Sequence, residues 1–166
     1  IARIAFICTK ILRSLLDKRL IDQKFVEKIY STIPTITKKM NKDYIKAFKS
    51  KNYKKKFLLD YGHLRPLTYS IASKNYKEGF HHYFSNKNQS TTSFLKKDFK
   101  ISKKLNDKIS NIFKKEKLEI NFKEFIKLLQ KSIEYREYSK FIFSKSINSV
   151  FENLIKFTKK LDINRD

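Results

Sequence analysis

Two side chains whose chemistry suits anion binding, His63 and Arg65, lie between Gly62 and Pro66. Gly62 ends a predicted helix and suits the left-handed position that follows a helix, while Pro66 fixes the next backbone angle, so the turn is stiff. On such a turn Arg65 can hold a phosphate or carboxylate with two hydrogen bonds, and a neutral His63 can accept or donate one proton. The alternative is that both side chains bond to loop carbonyls and only order the turn.

A second group of charged side chains interrupts an apolar helical pattern in IEYREYSKF, residues 133–141. Arg136 and Lys140 are four residues apart and therefore lie on the same side of a helix. Glu137 is close enough to pair with either, and Glu134 completes the group. Ion pairing within the helix is one interpretation, and a basic contact to a ligand is the other.

Other motifs that carry chemistry are absent from the sequence, which has no GxGxxG, GxxxxGK[ST], HExxH or GxSxG pattern. His81 and His82 are adjacent, and adjacent side chains diverge on a helix or strand, so we do not expect them to share a metal ion. Cys8 falls in the apolar stripe of a predicted helix and is interpreted as a small buried hydrophobe. We predict no metal site and no cofactor within this chain.

Helices are the elements that must position these residues, because apolar side chains recur at helical spacing along most of the chain. The first stripe runs from Ile4 to Leu16. The second begins after Asp22 as N-cap and runs from Phe25 to Met40, with Pro34 as a kink. A third helix starts near Asn52 and ends at Gly62.

The second half of the chain predicts two further helices after an irregular stretch. Periodicity fails over residues 63–93, a segment long enough to be functional or disordered, and residues 85–93 have the composition of a flexible loop. Ser102 caps a helix that ends near Lys117. A capping box of Asn121 and Glu124 begins another, about 58 Å long if it is unbroken to Lys160.

Composition indicates an all-α chain that forms a single domain over residues 1–166. Two Gly and two Pro among 166 residues are too few for a turn-dense β-sandwich or barrel, and 40% hydrophobic residues are enough to build a core. The longest apolar stretch, from Ile1 to Leu16, contains three cationic side chains. It is therefore not expected to span a membrane.

The formal net charge of +23 makes nucleic acid an obvious partner to consider. However, only six of the 39 cationic residues are Arg, and Arg binds phosphate and guanine edges better than Lys does. We therefore interpret the charge mainly as a solvated Lys surface that binds nucleic acid weakly and non-specifically. A Lys-rich helical nucleic-acid-binding or ribosome-associated protein stays an alternative, as does a purely structural helical spacer.

Both groups of charged residues lie in segments that resemble a known family. LLDYGHLRPLTYSIASKNY, residues 58–76, resembles the YGHLRPGTYDI-type motif of phosphoenolpyruvate synthase-like phosphotransferases, a family that also includes pyruvate phosphate dikinase and rifampicin phosphotransferase. ARIAFICTKILRSLL resembles the helix before that motif, and EYREYSKFIFSKSINSVFENL resembles a later REYxKF helix. The order of the segments is also that of the family. Leu67 and Ser70 stand where the motif has Gly and Asp.

The resemblance implies that this chain is the central helical segment between an ATP-grasp domain and a phosphohistidine domain. It places His63, Arg65 and Tyr69 on the side of a small-molecule phosphoryl acceptor. Arg136, Glu137 and Lys140 would support that site. ATP and Mg²⁺ would bind in the flanking domains, so the isolated chain should not be catalytic. We expect such a protein in the cytoplasm.

Overall fold

A computed structural model describes residues 1–84 and 100–163. Helices account for 71% of the described residues, and no strand occurs among them, so the all-α prediction is confirmed. No helix in these two ranges is long and apolar enough to cross a membrane. In chain order the helices are α1 (Ala2–Asp17), α2 (Gln23–Thr32), α3 (Ile36–Ala47), α4 (Lys51–Tyr61), α5 (Phe80–Tyr83), α6 (Lys103–Lys115) and α7 (Phe122–Lys160).

Three predicted helix starts are confirmed by their capping hydrogen bonds. The Asp22 side chain accepts from the backbone N–H of Phe25 at 2.7 Å, and Ser102 accepts from Leu105 at 3.3 Å. Asn121 and Glu124 bond to each other's backbone N–H groups at 2.9 and 3.2 Å, which is a capping box. These bonds satisfy N–H groups that the first helical turn leaves without partners.

The prediction of one kinked helix across Pro34 is wrong. α2 ends at Thr32 and α3 begins at Ile36, with Ile33 in an extended conformation at φ −70° and ψ 121°. The ring of a proline disfavours helical geometry in the residue before it, so the chain leaves the helix at Ile33. Pro34 therefore separates two helices.

The predicted left-handed conformation at Gly62 is also wrong, although α4 does end there. Gly62 has φ −60° and ψ −25°, which any residue can adopt. Space explains the glycine better: a Cβ would collide with the carbonyl oxygen of Leu58 and would lie 3.2 Å from the Cβ of Lys77. The glycine allows close approach of two backbone segments.

The packing of the described residues separates into two compact units, one built from residues 1–35 and 100–137, the other from 36–84 and 138–163. The first unit has an aliphatic and phenylalanine core from α1, α2, α6 and the start of α7, including Cys8, Leu12, Ile29, Ile109, Phe113, Phe122 and Leu129. The second unit has a smaller aromatic core: Tyr44, Ala47, Phe57, Tyr61 and Phe80. That all 166 residues form one domain stays a prediction.

α7 is unbroken over 39 residues, as predicted, and contributes to both units. Between α4 and α5, residues 63–79 form no helix, in agreement with the loss of periodicity there, but the short helix α5 lies inside the stretch 63–93 that was predicted to be irregular throughout. The predicted flexible loop at 85–93 lies outside the described residues. The irregular segment 62–79, called the site loop below, carries the first group of chemistry-bearing residues and belongs to the second unit.

Candidate functional site

The two ends of the site loop are joined by backbone hydrogen bonds. Tyr76 N–H donates to the Leu64 carbonyl at 2.7 Å, and Lys77 N–H donates to the Gly62 carbonyl at 3.0 Å. A carbon at the Gly62 Cβ position would stand in the way of this pairing, as described above. The segment is therefore a closed loop with a defined shape.

Arg65 is buried inside this loop, with 6% of its surface exposed. One terminal nitrogen, Nη1, donates to the carbonyls of Ser73 at 3.0 Å and Ser70 at 3.3 Å, and the other, Nη2, donates to Oδ1 of Asn148 on α7 at 2.7 Å. The guanidinium also lies over the Phe151 ring, 4.9 Å from its centroid. Of the two interpretations of the sequence, the bonds to loop carbonyls are the one observed.

Asn148 connects several parts of this arrangement. Its Oδ1 also accepts a hydrogen bond from the side-chain amide of Asn75 at 3.2 Å, and its own amide donates to Glu152 at 2.9 Å. Asn75 in turn forms a reciprocal pair with Glu78, in which each side chain accepts from the other's backbone N–H. These bonds stabilise the folded chain, because a buried polar group without a partner raises the free energy of the folded state. The network fixes the site loop to α7.

His63 contacts α7 two turns before Asn148. Its ring lies edge-on to Phe141, with 4.9 Å between centroids, and hydrogen-bonds to the Phe141 carbonyl. Nε2 is buried and has no hydrogen-bond partner among the described residues, so Nδ1 is the donor to that carbonyl. Burial and the nearby Lys145 ammonium lower the pKa of His63, while the bond to Phe141 opposes them. The imidazole is therefore neutral near pH 7.

The opposite side of the site loop faces solvent. Leu67 and Tyr69 are 65% and 76% exposed, and the Ser70 N–H donates to the Leu67 carbonyl at 3.0 Å to form a tight turn between them. The Ser70 carbonyl is one of the acceptors of Arg65. The buried guanidinium of Arg65 thus bonds to the same turn that presents Tyr69 to solvent.

The second group of charged residues is divided between the two units. Arg136 donates to Glu137 through Nε at 3.1 Å and Nη2 at 2.7 Å, and its guanidinium lies 5.4 Å from the Phe6 ring centroid. These three residues belong to the first unit. Lys140 is exposed and belongs to the second. The ion pair within the helix is therefore present for Arg136 and Glu137.

The remaining candidates have ordinary structural partners. His81 lies 3.2 Å from the ammonium of Lys54, which also sits over the Phe80 ring. No group of three potential metal ligands is found within the described ranges. Cys8 is buried as predicted, and burial raises the pKa of its thiol.

Sequence reasoning missed Asn148 and Asn75, the partners that give Arg65 its position. One signal was present: Ser144 and Asn148 are polar residues four apart on a helical face that continues with Phe151, and both are buried. Another was the spacing of Asn75 and Glu78, which repeats the Asn-x-x-Glu pattern found at Asn121.

Comparison of the chain with protein-family models, with curated proteins and with solved structures finds no match.

Proposed function

We propose that the chain is the central helical segment, acceptor-binding or spacer, of an ATP-dependent phosphotransferase of the phosphoenolpyruvate synthase type that works in the cytoplasm. In this proposal a phosphohistidine relay carries the phosphoryl group. The relay's nucleotide and metal sites lie in flanking ATP-grasp and phosphohistidine domains. The chain described here supplies no phosphate loop and is inactive alone.

One observation carries the proposal: the two segments that resemble the family contact each other. Residues 58–76 and 134–154 are far apart in sequence, yet Arg65 bonds to Asn148 across 83 positions and His63 packs on Phe141. Two motifs that arose by compositional chance would have no reason to share a buried hydrogen-bond network. Their contact supports the view that they belong to one structural unit.

The geometry suggests how the site loop would serve an acceptor. The guanidinium of Arg65 already donates to three protein acceptors, so we assign it to positioning the loop. Tyr69, exposed on the turn that Arg65 holds, is the side chain we assign to acceptor contact. A phenol offers one hydrogen-bond donor and an apolar ring face to a small organic acceptor. Support from Arg136, Glu137 and Lys140 stays a prediction.

The first test is the DNA sequence on either side of the region that encodes this chain. A continuous reading frame with an ATP-grasp domain on one side and a phosphohistidine domain on the other is the expected result. Stop codons that bound the chain without such domains would overturn the proposal.

The second test measures both half-reactions on the full-length protein. Tyr69→Ala should slow transfer to the acceptor at least about tenfold, equivalent to 1.4 kcal/mol, while phosphorylation of the mobile histidine by ATP keeps its rate. Tyr53→Ala is the matched control, because Tyr53 is also an exposed tyrosine of the second unit and lies outside the site loop. Equal rates for the two variants would exclude Tyr69 from the acceptor site.

A basic row on α3 favours nucleic-acid binding as a second candidate function. Lys38, Lys42 and Lys46 recur every four residues and so lie on one face of the helix. Burial, and to a smaller extent the charge of Lys42, lowers the pKa of Lys38. Such a row could follow a phosphate backbone without reading bases.

A charge-neutralisation experiment separates this row from the general charge of the chain. Changing Lys38, Lys42 and Lys46 to Gln should reduce the salt dependence of binding to a 20-base-pair duplex by about 2 to 3 in log–log slope. The control changes Lys123, Lys127 and Lys131, which have the same spacing on α7. If both triple variants lose affinity equally, the row is not a site and binding follows net charge.

A further inference from the structure

His63 joins the closed end of the site loop to α7. It lies between Gly62 and Leu64, whose carbonyls accept the two backbone hydrogen bonds that close the loop. Its ring lies edge-on to Phe141, and its Nδ1–H donates to the Phe141 carbonyl. The imidazole is therefore a side chain through which this end of the loop is attached to the helix.

The other ring nitrogen of His63, Nε2, is the atom that an added proton would occupy. Nε2 is buried and has no hydrogen-bond partner in the part of the chain that the structure describes. In the neutral ring it is an acceptor without a donor, whereas protonation would make it a charged donor without an acceptor. Because an unpaired buried charge costs far more than an unpaired neutral group, the closed loop strongly favours the neutral ring.

The ammonium of Lys145 adds to the cost of a second positive charge here. Lys145 lies over the Phe141 ring, 5.2 Å from its centroid, and His63 contacts the same ring at 4.9 Å. A like charge disfavours the protonated form of its neighbour. Burial is the larger cause of the lowered pKa of His63 and Lys145 the smaller, while the bond to the Phe141 carbonyl opposes both.

The carboxylates on the elements around His63 act on other groups. They lie on α3, α4, the site loop and α7: Asp43, Asp60, Glu78, Glu137 and Glu152. The first two act on the phenol of Tyr61, which donates to Asp43 at 2.9 Å. Glu78 accepts from the Asn75 N–H, and the two on α7 accept from Arg136 and Asn148. None of these carboxylates is placed to neutralise a proton on His63.

The cations of the same elements do not help either. The guanidinium of Arg65 donates to the carbonyls of the site loop and to Asn148 on α7. The ammonium groups of Lys74, Lys77 and Lys140 belong to exposed residues. A protonated His63 would thus add one more positive charge to a part of the chain that already carries several.

We propose that His63 is a pH-sensitive switch, which holds the Gly62–Leu64 end of the site loop on α7 while it is neutral and releases it when a proton from solvent binds Nε2. In the released loop Nε2–H donates to water, so the charge gains a partner that the closed loop does not give it. Release breaks the two closing backbone hydrogen bonds, while the cores of both units stay folded. The inference rests on the contacts of His63 and does not depend on phosphoryl transfer.

The direction of the effect follows from the two states of the loop. In the released loop the imidazole is exposed and has an ordinary pKa of about 6.5, whereas in the closed loop its pKa is lower. The released state therefore binds more protons as the pH falls. The preference for the closed loop is fully present above about pH 6.5 and decreases below that value.

Hydrogen exchange of the full chain, followed by NMR, measures the release. The protection factor of each amide compares its exchange with that of an unstructured peptide at the same pH. Protection of Tyr76 and Lys77, whose N–H groups close the loop, should be at least about threefold lower at pH 5.0 than at pH 7.5. The control is the Phe122 amide, which donates to Ser110 in the first unit and should keep its protection. An equal fall at Phe122 would mean that acid unfolds the whole chain, and would overturn the proposal.

Substitutions assign the pH dependence to one histidine. His63→Gln keeps an amide that can donate to the Phe141 carbonyl but does not titrate, so protection of Tyr76 and Lys77 should be the same at both pH values. His82→Gln is the matched control, because it removes an exposed histidine of α5 in the same unit. It should keep the fall seen in the parent chain. The proposal is wrong if His63→Gln keeps that fall or if His82→Gln abolishes it.

A titration of the His63 ring by NMR needs no substitution and so does not depend on whether the Gln variant folds. The ring resonances of the parent chain should report a pKa below 6.5. The fall in protection of Tyr76 and Lys77 should follow the same titration. A pKa of 6.5 or above, or a fall in protection that occurs without titration of His63, would overturn the proposal.

Discussion

Replacing Asn148 by Ala tests whether the buried network holds the site loop. The change removes the oxygen that accepts from Arg65 at 2.7 Å and from Asn75 at 3.2 Å. Both donors are buried, so water cannot replace the lost acceptor without opening the loop. The guanidinium is the more costly of the two to leave without this acceptor, because it is charged.

The size of the effect follows from the two bonds. A hydrogen bond from a charged donor contributes about 1.5–3 kcal/mol and a neutral amide bond about 1 kcal/mol, so the loss is about 3 kcal/mol. Alanine also favours a helix more than asparagine does, by about 0.6 kcal/mol, which masks part of the loss. Asn153 is an exposed residue of α7 shortly after Asn148. Asn153→Ala therefore has the same gain in helix propensity but removes no hydrogen bond of the buried network.

Urea denaturation gives the free energy of unfolding, and hydrogen exchange at Tyr76 and Lys77, whose N–H groups close the site loop, reports on the network itself. Asn148→Ala should unfold about 3 kcal/mol more easily than Asn153→Ala, and these two amides should exchange faster. In an Arg65→Met background the cost of Asn148→Ala should fall by about 2 kcal/mol. Equal stability of the two alanine variants would refute the argument.

Gly62→Ala should destabilise the chain by about 1–3 kcal/mol, because the added carbon meets the Leu58 carbonyl and Lys77; an unchanged urea midpoint would show that the loop ends have room to separate. Burial and Lys145 lower the pKa of His63 below its ordinary value of about 6.5, so the unfolded state binds more protons than the folded state as the pH falls. The stability that the neutral imidazole contributes to the folded chain is therefore fully present above about pH 6.5 and is lost as the pH falls below that value. The stability difference between the parent and His63→Gln should therefore shrink between pH 7.5 and pH 5.5, and a constant difference would contradict a buried neutral imidazole. The pure chain with ATP and Mg²⁺ should release no phosphate, and Mg²⁺-dependent turnover would refute its role as a non-catalytic segment.

Features that depend on neighbouring residues were predictable from the sequence. The caps at Asp22 and Ser102 use hydrogen bonds that span three residues, and the long α7 follows from an apolar repeat that no Gly or Pro interrupts. The sequence indicated that Pro34 disturbs a helix, but it did not indicate whether the helix kinks or ends there. A proline inside a helical pattern is compatible with a kink or an end, and packing decides which.

The candidate site depended on contacts that sequence spacing does not specify. His63 and Arg65 were recognised as residues on a constrained turn, but their partners on α7 lie more than 70 residues away. Whether Arg65 faces a ligand or the protein depends on where that helix packs. The residue types therefore indicated the place, and the hydrogen bonds to Asn148 and to the loop carbonyls determined which interpretation holds.

The way the chain alternates between its two units has a consequence for biosynthesis. Each unit combines a segment before residue 85 with a segment after residue 99, and both need part of α7. Residues 1–84 therefore leave the ribosome before either core can close, because the α7 residues that complete both cores are made later. Until α7 emerges, the apolar face of α1, with Leu12 and Cys8, has no α7 residues to pack against. The nascent chain must stay soluble through that interval, and its dense positive charge, which keeps copies apart, is suited to that task.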